Sequence, residues 1–285
     1  MTNVIASAKR IAFQGEPGAY ANLAAREAAP HAQAIPQPTF EEAMEAVKKG
    51  DCDLCIIPVE NSLIGRIADI HHLLPDSDLH IVGEHFLPIR HQLLGLKTAV
   101  LDAITDVYSQ APALAQVRGL LKQHKFAAHN WYDTAGSAKH VAELNDPKAA
   151  AIASTLAGEI YGLKVLKADV EDEHHNATRF LLMSKADARA PNVGRVVTTL
   201  LFQVKNAPAS LYKALGAFAT NGVNITKLES YQLGGSFNAT QFYADIQGHP
   251  ETPAVAAALE ELRFQTARMA IMGVYPAHAY REDMP

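Results

Sequence analysis

The sequence reads as an α/β chain followed by a smaller α+β unit of ferredoxin-like order. Three observations lead there. Residues 10–14 form a short apolar run that ends in Gly15-Glu16-Pro17-Gly18 and gives way to an Ala-rich helical stretch over 19–28, the strand–turn–helix opening of a layered α/β fold. A second strand-and-helix series begins at residue 106. After a polar, aperiodic stretch over 186–195, holding Pro191 and Gly194, the pattern becomes strand, helix, strand, strand, helix, strand, the split-βαβ arrangement.

Thr39-Phe40-Glu41-Glu42 has capping-box form, with Glu42 three residues after Thr39, and predicts a helix to about Lys49 stopped by Gly50. Residues 53–58 predict a strand, after which Glu60, Asn61 and Ser62 stand in a row. Gly65 opens a predicted helix with Ile67, Ile70, Leu73 and Leu74 on one face, and residues 80–89 read as a long strand. In the second series, 106–109 is a strand and Pro112 suits the first position of a helix. Leu114, Val117 and Leu121 form the apolar face of that helix. Gln116 lies at its border, about one turn from the start and so near Ser109. Residues 126–129 predict a strand, and Asp133-Thr134 start a helix whose small residues leave its first amides open to a ligand. Residues 149–153 predict a strand and Ser154 the cap of a helix ending at Tyr161-Gly162. In the C-terminal unit the strand 196–204 is followed by a helix opened by Asn206-Ala207-Pro208 and closed by Asn221-Gly222. Then come a strand over 223–231, a Gly234-Gly235 hairpin turn, a strand over 237–246, a helix over 253–262 and an apolar 267–274.

The 285 residues suffice for two or three domains. An apolar content of 48% and a charged content of 19% exclude disordered and fibrous classes. The net charge of −5, with no Lys/Arg block, argues against a nucleic-acid partner. No apolar run approaches ~18 residues, so no membrane span is expected. Residues 1–10 lack the apolar core of a secretory signal, and two unpaired thiols fit a cytoplasmic location. Cys52-Asp53-Leu54-Cys55 has CxxC spacing but sits in a strand pattern. A redox CxxC opens a helix and a zinc site needs a second ligand pair, so both thiols read as core residues. His71-His72, and His174-His175 beside Glu171, Asp172 and Glu173, are adjacent pairs whose side chains diverge in a strand or a helix. They read as solvated or capping groups, and no metal is expected.

Four polar clusters remain: Glu60-Asn61-Ser62, Ser109 with Gln116, Asp133-Thr134, and Asn176-Thr178-Arg179. Each follows a strand or opens a helix, where α/β proteins place ligand chemistry. Singly, each also fits a junction with local turn hydrogen bonds. Their repeated placement on one type of edge argues for a site.

Several motifs occur in family order. Asn176-Ala177-Thr178-Arg179-Phe180 matches Asn-x-Thr-Arg-Phe, and Pro58-Val59-Glu60-Asn61-Ser62 matches Pro-[Ile/Val]-Glu-Asn-Ser. Gly15-Glu16-Pro17-Gly18-Ala19-Tyr20 resembles a Gly-Pro-x-Gly-[Thr/Ala]-[Phe/Tyr] turn, and Ala151-Ile152-Ala153-Ser154 with Tyr161-Gly162-Leu163 fits a further block. On these residues the chain resembles bacterial prephenate dehydratases with a C-terminal ACT domain, over about residues 10–274. The resemblance implies a catalytic domain over 9–185, folded in two lobes like a type 2 periplasmic-binding protein. Lobe 1 takes about 9–88 and 164–185, and lobe 2 about 89–163. A linker over 186–195, an ACT regulatory domain over 196–276 and a tail over 277–285 follow.

The implied activity converts prephenate to phenylpyruvate with loss of carbon dioxide and water, on the route to phenylalanine. Aromatisation drives it, so no cofactor is expected. The leaving hydroxide needs a donor, and the substrate carries two carboxylates. By resemblance Thr178 is the catalytic hydroxyl, with a proton relay through water or Glu60. For Arg179 two readings stand, a fork on a substrate carboxylate or an ion pair with a loop acid such as Glu171. Asn61, Ser62, Ser109, Gln116 and Thr134 are assigned as positioning donors, with Asn176 and Phe180 beside the substrate.

For phenylalanine as effector, the resemblance points to Asn206, Ala209, Leu211, Glu229 and Ser230. Here Ala209-Ser210-Leu211-Tyr212 stands where the family has Gly-Ala-Leu-Val, and Glu229-Ser230-Tyr231-Gln232 where it has Glu-Ser-Arg-Pro, so Arg-Pro is lost. A homodimer or homotetramer is implied. The alternatives are arogenate dehydratase, kept open by Ala19, and a non-catalytic sensor on the same folds, which has no need of the Thr178 hydroxyl.

Overall fold

A computed structural model describes residues 4–232 and 239–282. The expected Gly234-Gly235 turn and the start of the strand expected from residue 237 lie outside these. The chain forms two compact units, one of residues 9–66 and 86–180, the other of the rest of the described chain.

The first unit is built on two sheets. In one, the strand Arg10–Gln14 pairs in parallel with Leu54–Asn61 on one side and Gln33–Gln37 on the other. The beginning of the strand Ala177–Ser184 lies along the far side of Leu54–Asn61. Helices Tyr20–Ala28 and Phe40–Lys49 connect these strands. The capping box at Thr39 forms as expected, its Oγ1 accepting from the Glu42 backbone N–H, and Gly50 closes that helix with φ 83°. The strand Gln33–Gln37 was not anticipated: it is an edge strand, where Pro36 opposite Phe13 removes no interior hydrogen bond.

The second sheet runs Lys164–Lys167, Gln92–Gly95, Ala149–Ala153, Asp106–Ser109, Ala127–Asn130. Its central strand Ala149–Ala153 is buried throughout, and alternation divides it between two cores. Ala150 and Ile152 join Leu93, Val107 and Val117, whereas Ala149, Ala151 and Ala153 join Leu94, Ala138 and Val141. The strands Gln92–Gly95 and Lys164–Lys167, too short to show a period, were not foreseen.

Two expected helices change. Gly65, with φ 86°, opens no helix. Gly65–Arg66 pairs back on Glu60–Asn61 as a hairpin, and the helix is Ala68–Leu73. The helix expected from Pro112 through Leu121 breaks into Ala111–Ala115 and Arg118–His124. The cause is distant in sequence. The Asp172 backbone N–H donates to Gln116 O at 2.7 Å, and the Asp172 carboxylate accepts from the Gly119 amide at 3.0 Å, capping the second helix.

The opening turn ties the two sheets of this unit together. Ser154, the expected cap of the helix Thr155–Tyr161, accepts from the Ala157 amide and donates to Gly18 O at 2.5 Å. Tyr161 Oη donates to Pro17 O at 2.9 Å. Gly18 has φ 95°, and a Cβ there would stand 2.7 Å from Ala157 Cα, so only glycine fits.

The second unit contains the βαββαβ order: strand Val196–Val204, helix Ser210–Thr220, strands Ile225–Gln232 and Ala239–Gln247, helix Pro253–Gln265, strand Thr266–Pro276. The expected helix begins later than Asn206, at Ser210. The strands Ala239–Gln247 and Thr266–Pro276 flank Val196–Val204, both antiparallel, as a ferredoxin-like order requires. Both helices pack on one face over Leu200, Phe202, Phe218, Leu259 and Leu262. The expected tail carries Arg281, whose guanidinium grips the fully buried Glu84 carboxylate at 2.6 and 2.8 Å.

Candidate active site

The strands Leu54–Asn61 and Ala177–Ser184 lie side by side, and successive residues of a strand face opposite ways. The strand begins at Ala177, so Thr178 and Arg179 alternate. Asn61 meets Thr178 on one side, with Nδ2 to Oγ1 at 3.0 Å. Arg179 meets Glu60 on the other, with Nη1 to Oε1 at 2.9 Å and the guanidinium carbon 5.9 Å from the Phe86 ring centroid.

This alternation corrects two expectations. Arg179 does not pair with Glu171; its partner here is Glu60, and the pair faces away from the Thr178 hydroxyl. Glu171 instead accepts from Arg90 Nη1 at 2.8 Å and from the His91 backbone N–H at 2.9 Å. For the same reason Glu60 is not placed to relay a proton to Thr178.

The amide orientations around Thr178 follow from one anchor. The backbone N–H groups of Leu63 and Ile64 both donate to Asn61 Oδ1 at 3.0 Å. The Asn61 amide nitrogen must therefore face the other way, where it donates to Asn176 Oδ1 at 2.8 Å and to Thr178 Oγ1. Asn176 Nδ2 in turn donates to Gln116 Oε1 at 3.0 Å. Thr178 Oγ1 is thus an acceptor within the protein, and its own hydrogen has no protein acceptor among the described residues. Gln116 likewise keeps its amide hydrogens. Thr178 and Asn61 retain 9% and 8% exposure against 1% for Asn176, and Gln116 is partly exposed, so the network reaches solvent at Thr178 and at Gln116.

The other expected donors divide. Thr134 is the first residue of the helix Thr134–Leu144, capped by Asp133, and its hydroxyl has no hydrogen-bond partner among the described residues. Ser109 is committed elsewhere, its hydroxyl donating to Ile152 O at 2.7 Å. Ser62 is no substrate donor either: its Oγ donates to His175 O and accepts from the Ala177 amide, both at 2.9 Å, which pins the loop to the strand. Asn61 commits both amide hydrogens internally and so orients Thr178. Phe180 is a core side chain, among the largest fully buried. Neither Thr134 nor Ser109 hydrogen-bonds to the Thr178 network.

The family model for prephenate dehydratase matches residues 11–188, which include every one of these side chains. The chain belongs to the prephenate dehydratase family. Membership makes it a lyase. It is similar to a bifunctional N-acyl-homoserine lactone acylase/prephenate dehydratase of Komagataeibacter europaeus, 48% identical over 95% of this chain and 97% of the relative. It is similar to arogenate dehydratase/prephenate dehydratase 2 of Arabidopsis thaliana, 35% identical over 94% of this chain and 72% of that one. Among solved structures it resembles a prephenate dehydratase from Arthrobacter aurescens in complex with L-Phe. That match has a TM-score of 0.87 and 28% identity, covering 97% of this chain and 92% of that one. The two-lobed α/β catalytic architecture is that of the family.

Three side chains beside this network, Tyr20 of the opening motif among them, were given no site role by the motif reading. His91, buried to 2% exposure, joins Gln116 Oε1 through Nε2 at 2.7 Å and Tyr20 Oη through Nδ1 at 2.8 Å. Burial holds its imidazole below the ordinary value, against smaller opposing effects of the Gln116 bond and Glu171. Burial, then Glu171, raises the Tyr20 phenol well above its ordinary value. Arg90 is the third. The available signal was Arg90-His91-Gln92 just past the strand His80–Pro88, the placement that marked the other clusters.

The residues expected at an effector site lie in the second unit. Ala209 precedes the helix Ser210–Thr220 with φ 62°, Leu211 packs on its core, Asn206 is exposed, Glu229 Oε1 accepts from Lys227 Nζ at 3.1 Å, and Ser230 pairs with Phe242. Among the described residues no His/Cys/Asp/Glu group could hold a metal, and no helix is long and apolar enough to cross a membrane. His174 and His175 pair with Glu171 and Glu173.

Proposed function

We propose that the chain converts prephenate to phenylpyruvate in L-phenylalanine biosynthesis, with Thr178 as the donor to the departing hydroxyl. The observation that carries this is the Asn61-to-Thr178 hydrogen bond, which leaves the Thr178 proton free for substrate. As the ring carbon–carboxylate bond breaks, its electron pair enters the ring and the opposite carbon–oxygen bond breaks. Carbon dioxide leaves, and the expelled oxygen takes up a proton and departs as water. A threonine hydroxyl is a weak acid, but a bond donated to its oxygen polarises it in the required direction. Water completes the proton supply. Thr178, Gln116 and Thr134 present hydrogens and no negative charge, as a dianionic substrate requires.

The domain reading follows: a two-lobed catalytic region over about 9–185, a linker, and an ACT regulatory domain over about 196–276. Support for the last is the ferredoxin-like order and a relative solved with L-Phe. On this reading the chain is a cytoplasmic homodimer or homotetramer inhibited by phenylalanine. Arogenate remains the competing substrate, since the Arabidopsis relative carries both names. The Komagataeibacter relative's name adds a second reading, cleavage of N-acyl-homoserine lactones.

One experiment separates these. Purified full chain is given prephenate or arogenate, with and without phenylalanine, and aromatic product is followed by ultraviolet absorbance. An N-acyl-homoserine lactone is assayed in parallel for free homoserine lactone. Phenylpyruvate formed faster than phenylalanine supports the reading, and preference for arogenate overturns it. Thr178→Ala should lower kcat on the order of 100- to 10,000-fold with the fold kept. Near-normal turnover in that variant removes Thr178 from the mechanism.

A further inference from the structure

The hydrogen-bonded line that ends at Thr178 does not stop at Gln116. It runs from Tyr20 Oη to His91 Nδ1 at 2.8 Å, from His91 Nε2 to Gln116 Oε1 at 2.7 Å, and on through Asn176 and Asn61 to Thr178. We propose that His91 is a positioning residue for the reaction: its Nε2–H holds Gln116, Asn176 and Asn61 in the one set of orientations that leaves the Thr178 proton pointing to substrate. The inference rests on the dehydratase reading and deepens it.

Donor counting carries the argument. Gln116 Oε1 already accepts from Asn176, so His91 must present a hydrogen at Nε2 for that oxygen to bond both neighbours. Nδ1 is then the ring acceptor, and the single hydrogen of the Tyr20 phenol, kept neutral by burial, is shared between Nδ1 at 2.8 Å and the Arg90 carbonyl at 3.0 Å. The opposite tautomer forces Gln116 to flip and donate to the ring. Asn176 must flip in response, then Asn61. The Asn61 amide nitrogen would then face the Leu63 and Ile64 N–H groups, donor against donors, and Asn61 Oδ1 would take the Thr178 hydrogen away from substrate.

The ring is fixed on every side. Its own backbone N–H donates to Glu171, the carboxylate that also holds Arg90 and lies 3.7 Å from His174 Nδ1. Tyr20 stands edge-on to the imidazole at 5.5 Å and comes from the helix that follows the Gly18 turn. The histidine therefore couples that turn to the Thr178 strand.

Two variants test this in the full chain. Glutamine places an amide N–H where Nε2–H stands and keeps an acceptor, whereas methionine fills similar space with no donor. His91→Met should lower kcat about 100-fold with KM changed less than about threefold, and His91→Gln should recover most of the loss. Equal losses in both variants, or a loss confined to KM, overturn the proposal. A readout independent of activity is the long-range nitrogen–proton NMR spectrum at pH 8, with the His91 signal assigned by its absence in His91→Gln. It should show the Nε2–H tautomer, and the Nδ1–H tautomer overturns the proposal. If the parent chain forms no phenylpyruvate, the dehydratase reading falls and the catalytic role falls with it. The tautomer still reports separately whether the network is as drawn.

Discussion

At the scale of single residues, the side chain left behind by a substitution decides its effect. Arg179 is 2% exposed and Glu60 31%. Glu60→Gln strips a deeply buried guanidinium of this carboxylate and should cost about 3 kcal/mol, the low end for breaking a buried pair because Glu60 reaches solvent. Arg179→Met leaves the partly solvated carboxylate and should cost less, about 1–2 kcal/mol. Urea unfolding of the two variants gives the order, and the reverse order removes this account of the pair. Arg179 was the residue whose direction the sequence left open. The alternation of one strand settles it, because Thr178 holds the side that meets Asn61.

At the scale of elements, two backbone positions make opposite predictions. Gly18 sits with φ 95° where a Cβ would meet Ala157 Cα at 2.7 Å, at the turn that joins the two sheets of the first unit. Gly18→Ala should destabilise by about 3 kcal/mol, through overpacking as well as conformation. Ala209 is the converse, an L-residue held at φ 62°, where glycine carries no steric cost. Ala209→Gly should stabilise by about 1 kcal/mol and raise Tm by a few degrees in a thermal melt. The broken helix around Gln116 belongs here too. Its apolar positions, Leu114, Val117 and Leu121, have helical spacing and read as continuous. The break appears only because Asp172, far along the chain, caps Arg118–His124 at Gly119. That break carries Gln116 to His91, so the feature least legible in the sequence is one the candidate site depends on.

For the molecule as a whole, two buried groups tie stability to pH in the same direction. Burial lowers His91 from its ordinary 6.5, so below that pH the unfolded chain binds a proton that the folded chain refuses. For Glu171 burial acts upward, but the hydrogen bonds from Arg90 and the His91 amide outweigh it and leave the carboxyl below its ordinary 4.5. Stability from both groups is present above their unfolded values and is lost as pH falls through the folded ones. The urea midpoint should fall from pH 7.5 to 5.5, and His91→Gln should flatten that part of the curve. A His91→Gln profile parallel to the parent would show that this imidazole does not govern it.

The period of the apolar residues was enough to draw the strands at Arg10, Leu54 and Ala149, the capped helices after Thr39 and Ser154, and the βαββαβ order of the second unit, because each depends on residues close in the chain. The same local signals placed Thr178, Asn61 and Gln116 at strand ends and helix borders, where a site was expected. What they left undecided was direction and commitment. Ser109 and Ser62 look like donors until Ile152 and His175 are found accepting from them, and His91 looks like nothing until Tyr20 and Gln116 stand on either side. These are bonds between groups tens of residues apart, formed after the strands have paired. A hydroxyl's chemistry depends on which of its hydrogen bonds are already taken, and that count exists only in the folded chain.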